Sequence, residues 1–427
     1  MDVAPAQLDS YYAARLGAVA ARAPLDGRLD AEVCIVGGGL AGVSCALELA
    51  RRGVGVALIE ARRLGWGASG RNGGQALIGY SPGMAPIERQ FAPAEARRLW
   101  DMTIDGLGAI VDRIARLRIA CDLGAGNLVA ATRPASLAAQ AAWAETARRA
   151  YGFDGYRLLD RGDVRREVAS ERYHGGLIEA TSRHLDPLAY LAGLADAAQG
   201  QGARLYEDSP AIRVAFADQP QVWTTRGTVR AKSLVLAGNA HLGRLVPALA
   251  ARVMPVASYV CATEPLGEAR ARALIPNRVA VCDDRAVLDY YRLTGDGRLL
   301  FGGGASYAAR TANDPRRALR RRLLLTFPQL ADVAIAHAWS GLVAITRNRL
   351  PDIGRLAPNV YYAQGFSGQG LVLTGVAGRA IAEAITGRTD DLDLLARIRH
   401  APFPGGPLLR TPLLVAGRAW HHLKDLL

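Results

Sequence analysis

The sequence predicts an α/β fold joined to an α+β one: a parallel strand–helix–strand unit near the start, and a second domain built on a mixed or antiparallel sheet. Three observations carry this prediction. Between residues 31 and 60 an apolar run, a glycine turn, a helical pattern and a second apolar run succeed one another. From Met254 to Gly341 the pattern mostly alternates, with a hairpin signal running from Tyr290 through Thr294-Gly295-Asp296-Gly297 to Phe301. Near the other end, Asn359–Gln364 reads as a short strand entering Gly365-Phe366-Ser367-Gly368-Gln369-Gly370 and a helix to Ile385.

The first unit is the most specific. Val33–Val36 meets Gly37-x-Gly39-x-x-Gly42, a helical pattern reaches Arg51, and Val54–Ile59 ends on Glu60. That is the order of a Rossmann-like dinucleotide-binding unit. Gly37 permits the tight turn, Gly39 lets backbone approach a pyrophosphate, and Gly42 lets helix and strand pack closely. Leu40 and Ala41 open the helix, whose N-terminal N–H groups and dipole attract phosphate. Glu60, with Ala61 and Arg62 after it, stands where a carboxylate accepts hydrogen bonds from ribose hydroxyls. An ADP-containing cofactor is therefore expected.

At 427 residues the chain is long enough for two or three domains, and its composition, 50% hydrophobic and 21% charged, is that of a globular protein. The one membrane-like stretch, Val33 to Ala50, contains the glycine turn and Glu48, so no integral membrane segment is expected. The first 30 residues carry Asp2, Asp9, Asp26 and Asp30 and read as an N-terminal extension rather than a signal peptide. Five cysteines without CxxC spacing speak against disulfides and structural zinc and fit a reducing cytoplasm. No histidine pair has metal spacing. The net charge of +13 raises the question of nucleic acid, but the densest run, Arg316–Arg322, reads as the solvated face of a helix. No nucleic-acid partner is expected, and the oligomeric state is not legible.

Between the three landmarks, helices are expected at Pro93–Leu117, Ala135–Tyr151 and Pro187–Gln199. Strands are expected around Gly175–Ile178 and at Ala203–Tyr206, Ala211–Phe216, Val222–Val229 and Ala231–Ala240. This pattern divides the chain into a discontinuous cofactor domain, 31–90, 165–250 and 345–400, and a substrate domain, 91–164 and 251–344. Residues 401–427 read as a tail helix.

The loop beyond Glu60 selects a flavin. Gly65-Trp66-Gly67-Ala68-Ser69-Gly70-Arg71-Asn72-Gly73-Gly74-Gln75 has many free N–H groups and few bulky side chains, which suits a pyrophosphate, a ribityl chain and a flat ring. The distant Gly365–Gly370 turn supplies a second helix N-terminus, whose dipole suits negative charge on the N1–C2=O side of a reduced flavin. Ala211, Ala237 and Gly238 join the FAD set as small residues at strand ends. No Cys or His sits inside the glycine loops, so the FAD is expected to be noncovalent.

With these motifs the chain resembles the D-amino-acid-oxidase-like flavoproteins of glutathione-reductase-type fold, and within them the γ-glutamylputrescine oxidoreductase branch. The resemblance rests on GWGASGRNGGQ (65–75), REVASERYHGGL (166–177), AGNAHLG (237–243), LDYYRLTGDGRLLFGGG (288–304), RLPDIGRLAPNVYYAQGFSGQG (349–370) and PFPGG with LR-x-P (402–412). It implies oxidation of an amine C–N bond by hydride transfer to flavin N5 and hydrolysis of the imine. A γ-glutamyl amine is the implied substrate and dioxygen or another acceptor the oxidant. Other members act on sarcosine, proline-like or D-amino acids, or pass electrons to quinone, and those readings stay open, as does a remote RNA-acting one. Gln369 departs from the histidine expected in the SGQG turn. Expected substrate contacts are Tyr290, Gln369, an aromatic cage of Trp339 and Phe366, and Arg347 as a bidentate partner for a carboxylate. Tyr290 and Tyr291 alternate along a strand, so only one faces the site.

Overall fold

The strand that opens the dinucleotide unit is longer than its apolar run. In the computed structural model, which describes residues 10–17, 19–285, 287–306 and 314–406, it spans Gly27–Val36. It pairs in parallel with Gly227–Leu236 over its whole length, and only its last four residues are buried, beside Val56–Ile59. Backbone pairing therefore extends the strand into a polar half that periodicity does not mark.

The first sheet runs in the order Asp352–Ala357, Val360–Gln364, Gly227–Leu236, Gly27–Val36, Val56–Ile59, Arg204–Tyr206. Its central pairs are parallel, and their Val, Ile and Leu residues are buried on both faces, as in a doubly covered sheet. Helices Leu40–Ala50, Pro187–Gly200 and Gly370–Ile385 pack together and share one apolar core with it. The strand expected at Ala211–Phe216 is confined to Arg213–Ala215, paired with Gln221–Trp223 at the margin of the sheet.

The second sheet runs Ile335–Thr346, Val253–Thr263, Leu299–Ser306, Asp289–Leu293, Ala280–Asp283, Gly124–Ala131, Gly175–His184, Gln75–Ala76, with Tyr156–Leu159 paired to Gly175–His184. It is mixed, because Ala280–Asp283 runs parallel to Gly124–Ala131 while its other pairs are antiparallel. One face buries Tyr291, Phe301 and Phe327 under the helix Arg316–Thr326. Tyr291 is wholly buried there and donates to the Tyr173 hydroxyl at 2.9 Å, which leaves Tyr290 for the opposite face.

Gln75–Ala76 and Gly175–His184 come from stretches assigned to the cofactor domain, yet both are strands of the second sheet. Within the N-terminal extension, Tyr11–Leu16 is a helix capped by Ser10, with Tyr11 and Tyr12 buried. The expected tail helix lies, from residue 407 onward, outside the described residues. In the basic run, Arg322 pairs with Asp289, and Arg320 donates to the carbonyls of Val333 and Ala331. No described helix is long and apolar enough to cross a membrane.

His184 ends a strand of the second sheet with no exposure, and its Nε2 bonds to the Arg278 carbonyl at 2.8 Å. Burial, then the nearby Arg292 charge, pushes its pKa from 6.5 down to about 4. An imidazole buried neutral contributes stability that is fully present above pH 6.5 and is lost as the pH falls toward 4, by up to roughly 3 kcal/mol. Thermal unfolding over this window is therefore expected to fall more steeply with acidification in the wild type than in His184→Gln. Equal slopes would contradict this assignment.

Candidate active site

The glycine turn is shaped by backbone contacts. A Cβ added to Gly42 would lie 2.0 Å from the carbonyl oxygen of Gly37, so the helix could not start where it does with any larger residue. Gly37 itself adopts φ of 115° and abuts the backbone of Ala237. Glu60 ends the next strand and turns back onto the same turn. Its carboxylate accepts from Gly38 N–H at 2.7 Å and Arg62 N–H at 2.9 Å, with Ala61 between, and burial raises its pKa despite these donors.

The loop after Glu60 is held by its own polar side chains. The Ser69 hydroxyl accepts from Leu40 N–H at 2.9 Å, and Asn72 donates to the carbonyls of Ala68 and Ser69. Arg71 donates to the Trp66 and Ser340 carbonyls, and Gln75 to that of Val281. Tyr290 packs so closely on Gly73 that an added Cβ would lie 2.4 Å from its ring. The loop thus bridges the two sheets.

A cavity of about 830 Å³ opens along this loop, large among ligand sites, which span about 300–1,000 Å³. It gathers Gly39, Leu40 and Ala41 from the first helix start, and Ala68, Ser69, Arg71, Asn72, Gly73 and Gln75 from the loop. Ala237 joins them, with Phe366, Ser367, Gly368, Gln369 and Gly370 from the distant turn and Tyr290 from the second sheet. Gly37, Gly42, Gly67, Gly74, Gly238 and Gly365 are not among the residues that line it. Gln369 donates to the carbonyls of Ile78 and Gly79, both at 2.9 Å, so its amide tethers the second helix start to the loop wall.

Three expected residues fall elsewhere. Arg347 is exposed beyond the end of Ile335–Thr346, and its guanidinium donates to the Pro402 carbonyl at 3.3 Å. Trp339 is buried away from the cavity, edge-on to Tyr12, and donates to the Arg71 carbonyl at 2.9 Å, so it forms no cage with Phe366. Ala211 precedes the marginal strand and packs in the core under the first sheet.

Two residues that hold the site lie inside the quoted motifs 237–243 and 288–304 without being singled out there. Asn239, at φ of 48°, accepts from Gly365 N–H at 2.9 Å and ties the AGN turn to the distant glycine turn. Arg292, 1% exposed, donates to the carbonyls of Gly73 at 2.9 Å and Leu185 at 2.8 Å. Its one sequence signal is an arginine at an inward position of an apolar strand.

Two helix N-termini, a loop of small residues and a cradle that side chains would fill thus share one cavity. These features fit FAD. The chain belongs to the DAO family of FAD-dependent oxidoreductases, whose model matches residues 32–384, and FAD is its cofactor. It is 43% identical over 419 residues to the γ-glutamylputrescine oxidoreductase of Escherichia coli (strain K12), covering 98% of each chain. The probable oxidoreductase OrdL of Haemophilus influenzae is 35% identical over 94% of each. Among solved structures, glycine oxidase from Geobacillus kaustophilus superposes with a TM-score of 0.71 at 23% identity, over 86% of this chain and 97% of that one. The L-proline dehydrogenase of P. horikoshii gives 0.70 at 23%, over 87% and 98%. Both of these are likenesses of fold.

Proposed function

We propose that the protein is an amine oxidase that converts the terminal CH–NH₂ group of γ-glutamylputrescine, or a related γ-glutamyl amine, to an aldehyde. The observation that carries this reading is the charge of the cavity wall. Among the described lining residues the carboxylates are Glu179, Asp283 and Asp284, and the one arginine is Arg71. That guanidinium already serves the Trp66 and Ser340 carbonyls. An amino-acid oxidase needs a cationic clamp for the α-carboxylate beside the reacting carbon. This wall offers no such clamp beside Tyr290 and Phe366, and the relative at 43% identity carries γ-glutamylputrescine in its name.

The protein's own part is binding, orientation and shielding. Bound FAD supplies the two-electron acceptor. The N-terminus of Gly370–Ile385 faces the cavity and would stabilise negative charge there. Tyr290 and Phe366 supply an apolar wall that favours the neutral, reactive form of the amine over its ammonium. One amine, one dioxygen and one water then give one aldehyde, one ammonia and one hydrogen peroxide.

Steady-state peroxide formation tests this. The kcat/KM for γ-glutamylputrescine is expected to exceed those for glycine, sarcosine and proline by about 100-fold, or about 2.7 kcal/mol in transition-state binding. A preference for any of the amino acids would overturn the substrate class. Activity seen only with added quinone would overturn dioxygen as the acceptor.

A further inference from the structure

Along the second sheet, the same cavity holds a group of acceptors that the proposed chemistry leaves unused. Tyr156 and Asn127 sit directly opposite Glu179 on the two strands that flank it. Side chains opposite one another on neighbouring strands share a face, with Cβ atoms about 4.5–5.5 Å apart. All three line the cavity.

Glu179 is 4% exposed and forms no salt bridge among the described residues. Its Oε2 accepts from the N–H groups of Thr181 at 2.6 Å and Ser182 at 2.8 Å, which fixes its position, and Arg183, whose charge acts on it, makes no ion pair with it. Asn127 is 6% exposed, and its Oδ1 has no hydrogen-bond partner among the described residues. Gln140 Oε1, farther along the wall, is likewise without one. A buried carboxylate without a counter-ion beside unpaired buried oxygens is costly unless a donor arrives. Aromatic rings flank the place: Trp143 lines the cavity with its ring centroid 6.3 Å from that of Tyr156.

We propose that Glu179, Asn127 and Tyr156 form a subsite for an ammonium group at the far end of the substrate from the reacting amine. A cation with several N–H donors matches a carboxylate, an amide oxygen and aromatic faces together. This rests on the amine reading above and adds what measures the substrate's length. Three strand spacings and a two-residue offset separate Glu179 from Tyr290, roughly 15 Å in all. The ten or so bonds between the oxidised carbon and the α-ammonium of γ-glutamylputrescine extend about 12 Å, whereas free putrescine reaches about half as far. The α-ammonium of the γ-glutamyl group is the occupant that fits.

The test compares γ-glutamylputrescine with N-glutarylputrescine, which lacks only the α-ammonium, on wild-type holoenzyme and on Glu179→Gln and Asn127→Ala. Glutamine keeps an oxygen for Thr181 and Ser182, and flavin content and melting temperature report the fold of each variant. In the wild type the ammonium-bearing substrate is expected to lead in kcat/KM by about 100-fold. In Glu179→Gln that ratio collapses toward one, and in Asn127→Ala it shrinks. Binding is read separately from N-(γ-glutamyl)butylamine, which keeps the α-ammonium and lacks the terminal amine that is oxidised, through its perturbation of the flavin spectrum. An unchanged ratio in Glu179→Gln, with γ-glutamylputrescine still oxidised, overturns the subsite and leaves the amine reading standing. An equal loss on both substrates also overturns it, since Glu179 would then act on the reacting amine or on the fold. A collapse in the preference for putrescine over butylamine also overturns it, since free putrescine is too short to reach Glu179 from the reacting carbon. If the wild type oxidises no amine, the functional reading falls and the subsite with it.

Discussion

Gly42→Ala is expected to yield protein that has lost its flavin. The added methyl would sit 2.0 Å from the carbonyl oxygen of Gly37, and that oxygen belongs to rigid backbone. Either the helix Leu40–Ala50 recedes or the turn opens, and both move the N–H groups that meet the pyrophosphate. An affinity loss of at least about 100-fold corresponds to about 2.7 kcal/mol, a modest figure for so close a contact. Flavin absorption per mole of purified chain measures it, with recovery on titration of FAD. Gly108→Ala is the control: Gly108 is exposed in the helix Pro93–Leu117, and its added Cβ meets nothing within 4 Å. It should retain flavin and gain about 0.5–1 kcal/mol from helix propensity. A yellow, fully loaded Gly42→Ala protein would refute the role given to the turn.

Arg292→Met is expected to cause the larger loss of stability. The guanidinium is buried, with Asp122 at 3.7 Å, and its donors hold the carbonyls of Gly73 and Leu185. Methionine fills much of the volume and leaves both acceptors unpaired. Removing one member of a buried, hydrogen-bonded charge group costs about 3–5 kcal/mol, or roughly 3–6 °C in melting temperature for a chain of this size. Because Gly73 belongs to the cofactor loop, FAD should also bind more weakly, and excess FAD should recover part of the lost melting temperature. A drop of less than about 2 °C would mean that the clamp carries little of the fold's stability.

The sequence made the dinucleotide unit legible because its chemistry is local. Gly37, Gly39, Gly42 and Glu60 lie within one strand–helix–strand passage, and each residue type answers a backbone constraint in that passage. The distant Gly365–Gly370 turn was legible for the same reason: a glycine-rich junction announces a helix start wherever it occurs. Other parts depend on pairing that no window contains. The strand Gly124–Ala131 reads GAGNLVAA, with neither alternation nor β-branched density, and becomes a strand because partners lie on both sides. The Tyr156–Glu179–Asn127 group exists through that pairing alone.

Arg347 and Trp339 show the converse. An arginine and a tryptophan near the distant motif suggested a clamp and a cage. The end of the strand at Thr346 turns Arg347 outward, while Trp339 packs edge-on against Tyr12. Residue type near a motif does not specify which way a side chain leaves the sheet. Arg292, hidden in plain alternation, has the structural role that neither of those residues has.

The most direct measurement is an anaerobic one. Purified, FAD-loaded protein is mixed with γ-glutamylputrescine in the absence of dioxygen, and the yellow absorption band is monitored. The band is expected to bleach, and admitting dioxygen should restore it with one peroxide for each amine consumed. A band left unchanged by γ-glutamylputrescine and other amines, yet bleached by glycine, sarcosine, proline or a D-amino acid, would contradict the amine reading.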